Sequence, residues 1–176
     1  DYRDMASLTR ELIQAAALAA HGSLVFERMD GETRDFSGEW DEVFVYPSVS
    51  AAVGREITPQ TPIDVLRVLC EEVGITPEKT WVAGKFVEEL LEHHVVSHFT
   101  RPTFVYDYPE DTSPLVRAHR EQEGVVEKWD LYIDGAEQGT GYSELVDPVI
   151  QRDRLIAQSQ LKAGGGIPYS SARMKS

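Results

Sequence analysis

Val126-Glu127-Lys128-Trp129-Asp130-Leu131-Tyr132-Ile133-Asp134-Gly135-Ala136-Glu137-Gln138-Gly139-Thr140-Gly141-Tyr142-Ser143-Glu144-Leu145 is the stretch on which the fold turns. Aromatic and β-branched residues lead up to Ile133, and Asp134-Gly135 follows, a pair whose ease at positive φ suits a two-residue hairpin turn. The pattern predicts strands over Val125 to Ile133 and Ala136 to Leu145. With Asp134 and Gly135 as the loop, Ile133 faces Ala136, Tyr132 faces Glu137 and Asp130 faces Gly139. Asp130 and Glu137 then share a face, where their carboxylates can converge on a hard divalent cation such as Mg²⁺ together with substrate phosphates. The alternative reading is two ordinary solvated strand carboxylates.

Gly139-Thr140-Gly141 sets two glycines around one small polar residue, which weakens a strand unless the backbone bends or approaches a ligand. Strict alternation puts Glu144 on the face opposite Glu137. A bulge permitted by the glycines brings both to one pocket, with Glu144 as the anion for an ammonium and Tyr142 offering it an aromatic face. A core-packed Tyr142 beside a surface Glu144 fits the same spacing.

Outward from the hairpin, Arg101-Pro102 ends a helical pattern, Thr103-Phe104-Val105-Tyr106 reads as a strand, and Tyr108 to Pro114 as a rigid loop. Ser113 has no flanking glycines of a nucleophile elbow and is a turn residue. Helices are predicted near 7–20, 62–73, 80–96 and 148–163. Leu8, Leu12, Ile13 and Ala16 supply the periodicity of the first, and Val82, Phe86, Val87, Leu90 and Leu91 the stripe of the third. Thr61 is the expected N-cap of the second, with Pro62 in its first turn and Asp64 three residues after the cap. Leu24-Val25-Phe26, Arg34-Asp35-Phe36 and Glu42 to Tyr46 are three short strand candidates for a small antiparallel sheet. The expected fold class is therefore α+β, a mainly antiparallel sheet flanked by helices.

The chain has 176 residues, 30 acidic against 17 basic, and a formal charge of −13. A single domain is the default at this length. A charge of that sign repels a nucleic-acid backbone, and the few Lys and Arg are scattered, so the composition argues against a self-sufficient DNA- or RNA-binding module. No apolar run approaches the length of a membrane span, and the start lacks the basic and apolar regions of a signal peptide. The lone Cys70, inside an apolar helical pattern, reads as a core filler in a reducing compartment. His93, His94 and His98 place two histidines one helical turn apart but lack a third ligand, and read as helix-end residues favoured by the dipole. His119 with Arg117 and Arg120 makes one small basic patch on a loop.

The run from Val126 to Pro148 resembles the late catalytic-domain segment of class II lysyl-tRNA synthetases. It is closest to the bacterial form, including domains fused to lysylphosphatidylglycerol synthetases. Arg101-Pro102-Thr103-Phe104-Val105 through Tyr108-Pro109 and Ser113-Pro114-Leu115 matches the strand and loop that precede the hairpin in that family. Asp1-Tyr2-Arg3-Asp4-Met5 matches the stretch after its second class motif. The resemblance runs collinearly over residues 1–163, between the second and third class motifs, and implies a partial catalytic domain followed by a loop-like or disordered tail at 164–176.

By this resemblance Asp130 and Glu137 match the acidic pair that binds the Mg²⁺ of ATP, and Thr140, Tyr142 and Glu144 match the lysine pocket, with Glu144 pairing with the side-chain ammonium. Thr140 and Asp130 stand where Asn and Glu are common, keeping polar and carboxylate function. The implied activity is that of the C-terminal portion of a lysine–tRNA ligase, which makes lysyl-adenylate from lysine and ATP and passes lysine to tRNA(Lys). A cytoplasmic location, a homodimer in the complete enzyme and no membrane contact from this segment are implied as well. The sequence shows no first class motif, second-motif Arg, Gly-rich third motif or OB-fold anticodon domain, so the chain alone is expected to be inactive. The competing expectation is a truncated remnant or paralogue that binds lysine or a protein. A paralogue that lysylates a protein is a third.

Overall fold

The computed structural model of the protein describes residues 1–163, so the predicted tail at 164–176 lies outside the described residues. The first helix, α1 (Tyr2–His21), begins earlier than the apolar periodicity predicts because Asp1 caps it. The Asp1 carboxylate accepts from the backbone N–H groups of Arg3 at 2.9 Å and Asp4 at 3.2 Å, and the Asp4 carboxylate reaches back to the backbone nitrogen of Asp1. Gly22, at φ 70°, closes the helix in the left-handed conformation.

β1 (Val25–Glu27) and β2 (Thr33–Asp35) form an antiparallel pair of their own. The third candidate strand does not join them. β3 (Asp41–Phe44) runs parallel to β4 (Thr103–Tyr106), and the chain turns into α2 (Val45–Val53) where Val45 and Tyr46 were expected to extend the strand. Val45 and Val49, one turn apart, are fully buried on this helix, so tertiary packing overrides the strand preference of the β-branched residues. The second predicted helix is α3 (Ile63–Glu72), with Pro62 rather than Thr61 at its N-cap position. The Thr61 hydroxyl is engaged by the backbone N–H of Thr58 at 2.9 Å and is not free to cap. α4 (Ala83–His94) follows, succeeded by a short 3₁₀ turn over Val96–His98.

The main sheet has the order β3-β4-β5-β6, with β5 (Lys128–Ile133) and β6 (Ala136–Tyr142) as the predicted hairpin. β4 to β5 and β5 to β6 are antiparallel, so the sheet is mainly antiparallel with one parallel edge pair, and helices flank it. Asp134 and Gly135 sit at φ 54° and 71°, the pair of positive values that a type I′ turn requires. The Asp134 carboxylate also receives Arg28 at 2.9 Å, and Arg34, tying the small hairpin to the turn of the large one.

Side chains alternate across β4 and β5 and divide the core in two. On one face Val105 and Tyr132 join Val45, Val49, Leu66, Phe86 and Leu90 from α2, α3 and α4. On the other, Phe104, Tyr106, Trp129, Leu131 and Ile133 pack with Tyr2, Ala6 and Ala17 of α1. Cys70 is fully buried in the first cluster, as a core filler should be. The last helix, α5 (Pro148–Ala163), is started by Asp147, whose carboxylate accepts from the N–H groups of Val149 at 2.9 Å and Ile150 at 3.2 Å.

Candidate functional site

The hairpin register departs from the expectation at one place. Ile133 pairs with Ala136 and Tyr132 with Glu137 as predicted, but a shift between Leu131 and Tyr132 leaves Gln138 extra, so Leu131 pairs with Gly139 and Asp130 with Thr140. Asp130 therefore faces Thr140, not Gly139. One residue inserted opposite a regular strand reverses the parity of everything beyond it. Glu137, Thr140 and Tyr142 in consequence share a face, although their numbers have different parity, and the opposing residues on that face are Tyr132, Asp130 and Lys128.

The two glycines have separate reasons. A Cβ on Gly139 meets nothing within 4 Å, and Gly139 follows the extra residue of the bulge. A Cβ on Gly141 would lie 2.3 Å from Cζ2 of Trp129, whose indole covers the strand from the face opposite the candidate site. The close approach is thus to an indole of the core, not to a ligand.

Asp130 is buried, and its Oδ2 accepts from the Lys128 ammonium at 2.8 Å while Oδ1 is buried without a partner. Lys128 Nζ also lies 4.2 Å from the centroid of the Tyr108 ring. Tyr132 donates to Glu92 of α4 at 2.8 Å. The Glu137 carboxyl stands above its usual range because of partial burial first, then the nearby charges of Asp130 and Glu92, with Lys128 opposing. The Tyr108 phenol is raised by burial and then by Asp130. Asp130 and Glu137 are hard oxygen donors, one of them holding an orphaned buried oxygen and already neutralising one cation, so the pair fits Mg²⁺. Among the described residues no group of three or more His, Cys, Asp or Glu could hold a metal, so the remaining ligands of such an ion would be phosphate oxygens and water.

Thr140 donates to the Trp129 carbonyl at 3.1 Å, on the strand it faces. Tyr142 is 41 % exposed. Beyond β6 the backbone stays paired: Ser143 N–H donates to Glu127 at 2.9 Å, and Glu144 forms a bridge with Val116. Glu144 is exposed and has no hydrogen-bond or ionic partner among the described residues. The lysine-pocket candidates thus lie on an open surface of this chain, and none of them lines the cavity of about 470 Å³ between the start of α4, the loop at Glu110 and Asp111, and Arg154 of α5.

The other sequence candidates have structural employment. Ser113 stands in a turn, its N–H donating to Glu110 and its carbonyl accepting from Val116. His119 accepts the N–H groups of Glu121 and Gln122, both at 3.1 Å, and Arg120 pairs with the buried Glu127 at 3.0 Å. His93 and His94 stand edge to face at the end of α4, and burial together with its histidine neighbours lowers the His94 pKa. Sequence reasoning missed Lys128, Tyr108 and Glu92. For Lys128 the signal was present, since it lies two residues before Asp130 on one strand and so projects from the same face.

Residues 1–165 match the family model of the class II tRNA synthetases (D, K and N). The chain belongs to this family. It is 51 % identical over 162 residues to a lysine–tRNA ligase of Kineococcus radiotolerans, covering 92 % of this chain and 32 % of that protein. A lysine–tRNA ligase of Mycolicibacterium gilvum is 48 % identical over 166 residues, covering 93 % of this chain and 33 % of that one. The lysylphosphatidylglycerol biosynthesis bifunctional protein LysX of Nocardia farcinica is 51 % identical over 169 residues, 94 % of this chain and 15 % of its own length. The chain thus spans about a third of the length of the lysine–tRNA ligases it matches. No helix among the described residues is long and apolar enough to cross a membrane.

Proposed function

We propose that residues 1–163 are part of the catalytic domain of a lysine–tRNA ligase and carry its metal pair and part of its lysine pocket. The carrying observation is the bulge that sets Glu137, Thr140 and Tyr142 on the face of Asp130, in a chain about half identical to lysine–tRNA ligases. In the reaction of the complete enzyme, a lysine carboxylate oxygen attacks the α-phosphorus of ATP and pyrophosphate leaves, and a terminal ribose hydroxyl of tRNA(Lys) then takes the lysyl group from the adenylate as AMP leaves. Asp130 and Glu137 hold Mg²⁺, which when bound neutralises charge on the ATP phosphates. Glu144 receives the lysine ammonium, Tyr142 flanks it, and Thr140 supplies a hydroxyl at the pocket's edge. A homodimeric, cytoplasmic complete enzyme follows from the same reading.

The test is a chimera in which residues 1–163 replace the corresponding segment of the Kineococcus radiotolerans enzyme, assayed by lysine-dependent ATP–pyrophosphate exchange. Exchange is expected in the chimera and not in the isolated chain, where no residue among the described ones is placed as the cationic clamp on the transferring phosphate. Within the chimera, Glu144→Gln should raise the lysine requirement by on the order of 10²-fold and leave the ATP requirement nearly unchanged. Glu137→Gln should do the reverse. A folded chimera without exchange favours the second reading, a lysine- or protein-binding paralogue. That reading has its own support in the exposed, unpartnered Glu144.

A further inference from the structure

The sheet face that carries Asp130 has more anions than the main sheet can pair. Glu137 lies across from Tyr132 on β6, and Glu92 of α4 accepts from Tyr132. Glu88, on the same helix, has Lys128 within electrostatic reach. Against them stand Lys85 of α4, paired with Glu89 and within electrostatic reach of Glu88 and Glu92, and Lys128, whose ammonium lies 2.8 Å from Asp130 Oδ2 and 4.2 Å from the Tyr108 ring centre. The Asp130 side chain is only 4 % exposed, while that of Lys128 is 22 % exposed. Asp130 cannot turn to water for its second oxygen, which is buried and unpartnered.

We propose that Lys128 is the built-in counter-cation of Asp130, and that a divalent cation enters the site by displacing the Lys128 ammonium from Oδ2. The inference rests on reading Asp130 and Glu137 as a cation pair. A buried carboxylate needs a positive partner in every state of the protein, and Lys128 supplies it until the metal arrives. Two cations cannot share one carboxylate oxygen without strong repulsion, and of the two partners only the flexible, partly exposed lysine stem can swing into solvent. Lys128 is in this sense a positioning residue. It holds the carboxylate ready and sets the concentration at which metal replaces it.

The experiment uses the 176-residue chain and follows free Mn²⁺ by electron paramagnetic resonance, with Lys128→Met, Lys128→Arg and Asp130→Asn beside it and folding checked by near-ultraviolet circular dichroism. Removing a positive charge adjacent to the bound ion should tighten Mn²⁺ binding by about tenfold in Lys128→Met, leave Lys128→Arg within about threefold of the parent, and abolish binding in Asp130→Asn. A second measurement needs no variant. Acetylation of Lys128, mapped by peptide mass, should rise when excess Mg²⁺ is added, while that of the exposed Lys79 stays constant. Binding that depends on Asp130 but is equal or weaker in Lys128→Met, or Lys128 acetylation indifferent to Mg²⁺, overturns the displacement and leaves the cation pair standing. Absence of any Asp130-dependent Mn²⁺ binding, both without nucleotide and with ATP added, overturns the pair itself, and the displacement with it.

Discussion

Gly141→Ala tests the construction of the hairpin most directly. The added methyl carbon would lie 2.3 Å from Cζ2, 2.5 Å from Cε2 and 2.9 Å from Nε1 of Trp129, so the indole or the strand must move by more than about 1 Å to reach ordinary carbon contact. The indole has nowhere to go at low cost: its Nε1 donates to the Tyr2 carbonyl at 2.7 Å, and its ring stands edge to face with Phe104 at 5.1 Å. Overpacking of this kind costs about 1–3 kcal/mol, and leaving the buried Trp129 indole N–H without its acceptor about 1–3 kcal/mol more. Relief of glycine's backbone entropy returns about 0.5–1 kcal/mol. The net expectation is a loss of about 2–4 kcal/mol, read from the urea midpoint by tryptophan fluorescence. Gly139→Ala is the matched control, since a Cβ there meets nothing within 4 Å. A loss in Gly141→Ala no larger than in Gly139→Ala would refute the reasoning, because the two sites share a strand and differ in the indole.

Lys128→Met strands the buried Asp130 carboxylate and should cost about 2–3 kcal/mol in urea unfolding, most of which Asp130→Asn in the same background recovers; no recovery would deny the pair its structural role. Cys70 is fully buried with its thiol pushed up to about 11 by burial, then by Glu89 and Glu71, so the folded chain should resist thiol labelling at about pH 8 and react once urea unfolds it. Native labelling at the rate of an exposed thiol would contradict that packing. Burial raises the carboxyls of Asp107, Glu88 and Asp111 above their ordinary values of 3.8, 4.5 and 3.8. From those ordinary values up to the raised ones the folded state holds more protons than the unfolded state, so stability falls as pH rises through that window. The thermal midpoint should therefore climb as pH is lowered from neutrality toward the ordinary carboxylate values, and a midpoint that falls steadily over that descent would count against it.

The elements that patterning made legible are those whose chemistry is local. Asp134-Gly135 fixed the turn because the positive φ values are a property of those two residues, and Asp147 and Pro148 marked the start of α5 for the same reason. The candidate strand Glu42 to Tyr46 holds as far as Phe44 and fails at Val45 and Tyr46, because β-branched and aromatic residues suit a buried helix as well as a strand, and the packing of Val45 and Val49 chose the helix. The start of α1 was missed by looking for apolar periodicity where Asp1 and Asp4 form a cap. In the site, the candidate carboxylates could be placed on one face from hairpin geometry, but the position of the extra residue depends on how Trp129 and Leu131 pack against α1 from behind. Lys128 went unnoticed because attention to carboxylates leaves out the cation they require.

The faces of the hairpin are bound to each other by that single extra residue. Trp129, Leu131 and Ile133 face α1, while Lys128, Asp130 and Tyr132 face the opposite way, and register alone decides which residues of β6 accompany each set. With Gln138 extra, Gly141 falls opposite Trp129, the one pairing on β6 where a side chain would collide with the indole, and Thr140 and Tyr142 fall beside Asp130 and Lys128. Removing the bulge would shift β6 by one residue beyond Glu137. Thr140 would then meet Trp129, a clash in the core, and would leave the side of Asp130 and Glu137. The same contact that makes the core pack therefore forces the polar residues onto one face. For this reason the packing of Trp129 on Gly141 bears on the site as well as on stability, and Gly141→Ala should weaken the cation binding proposed at Asp130 and Glu137, read as free Mn²⁺, without touching either carboxylate.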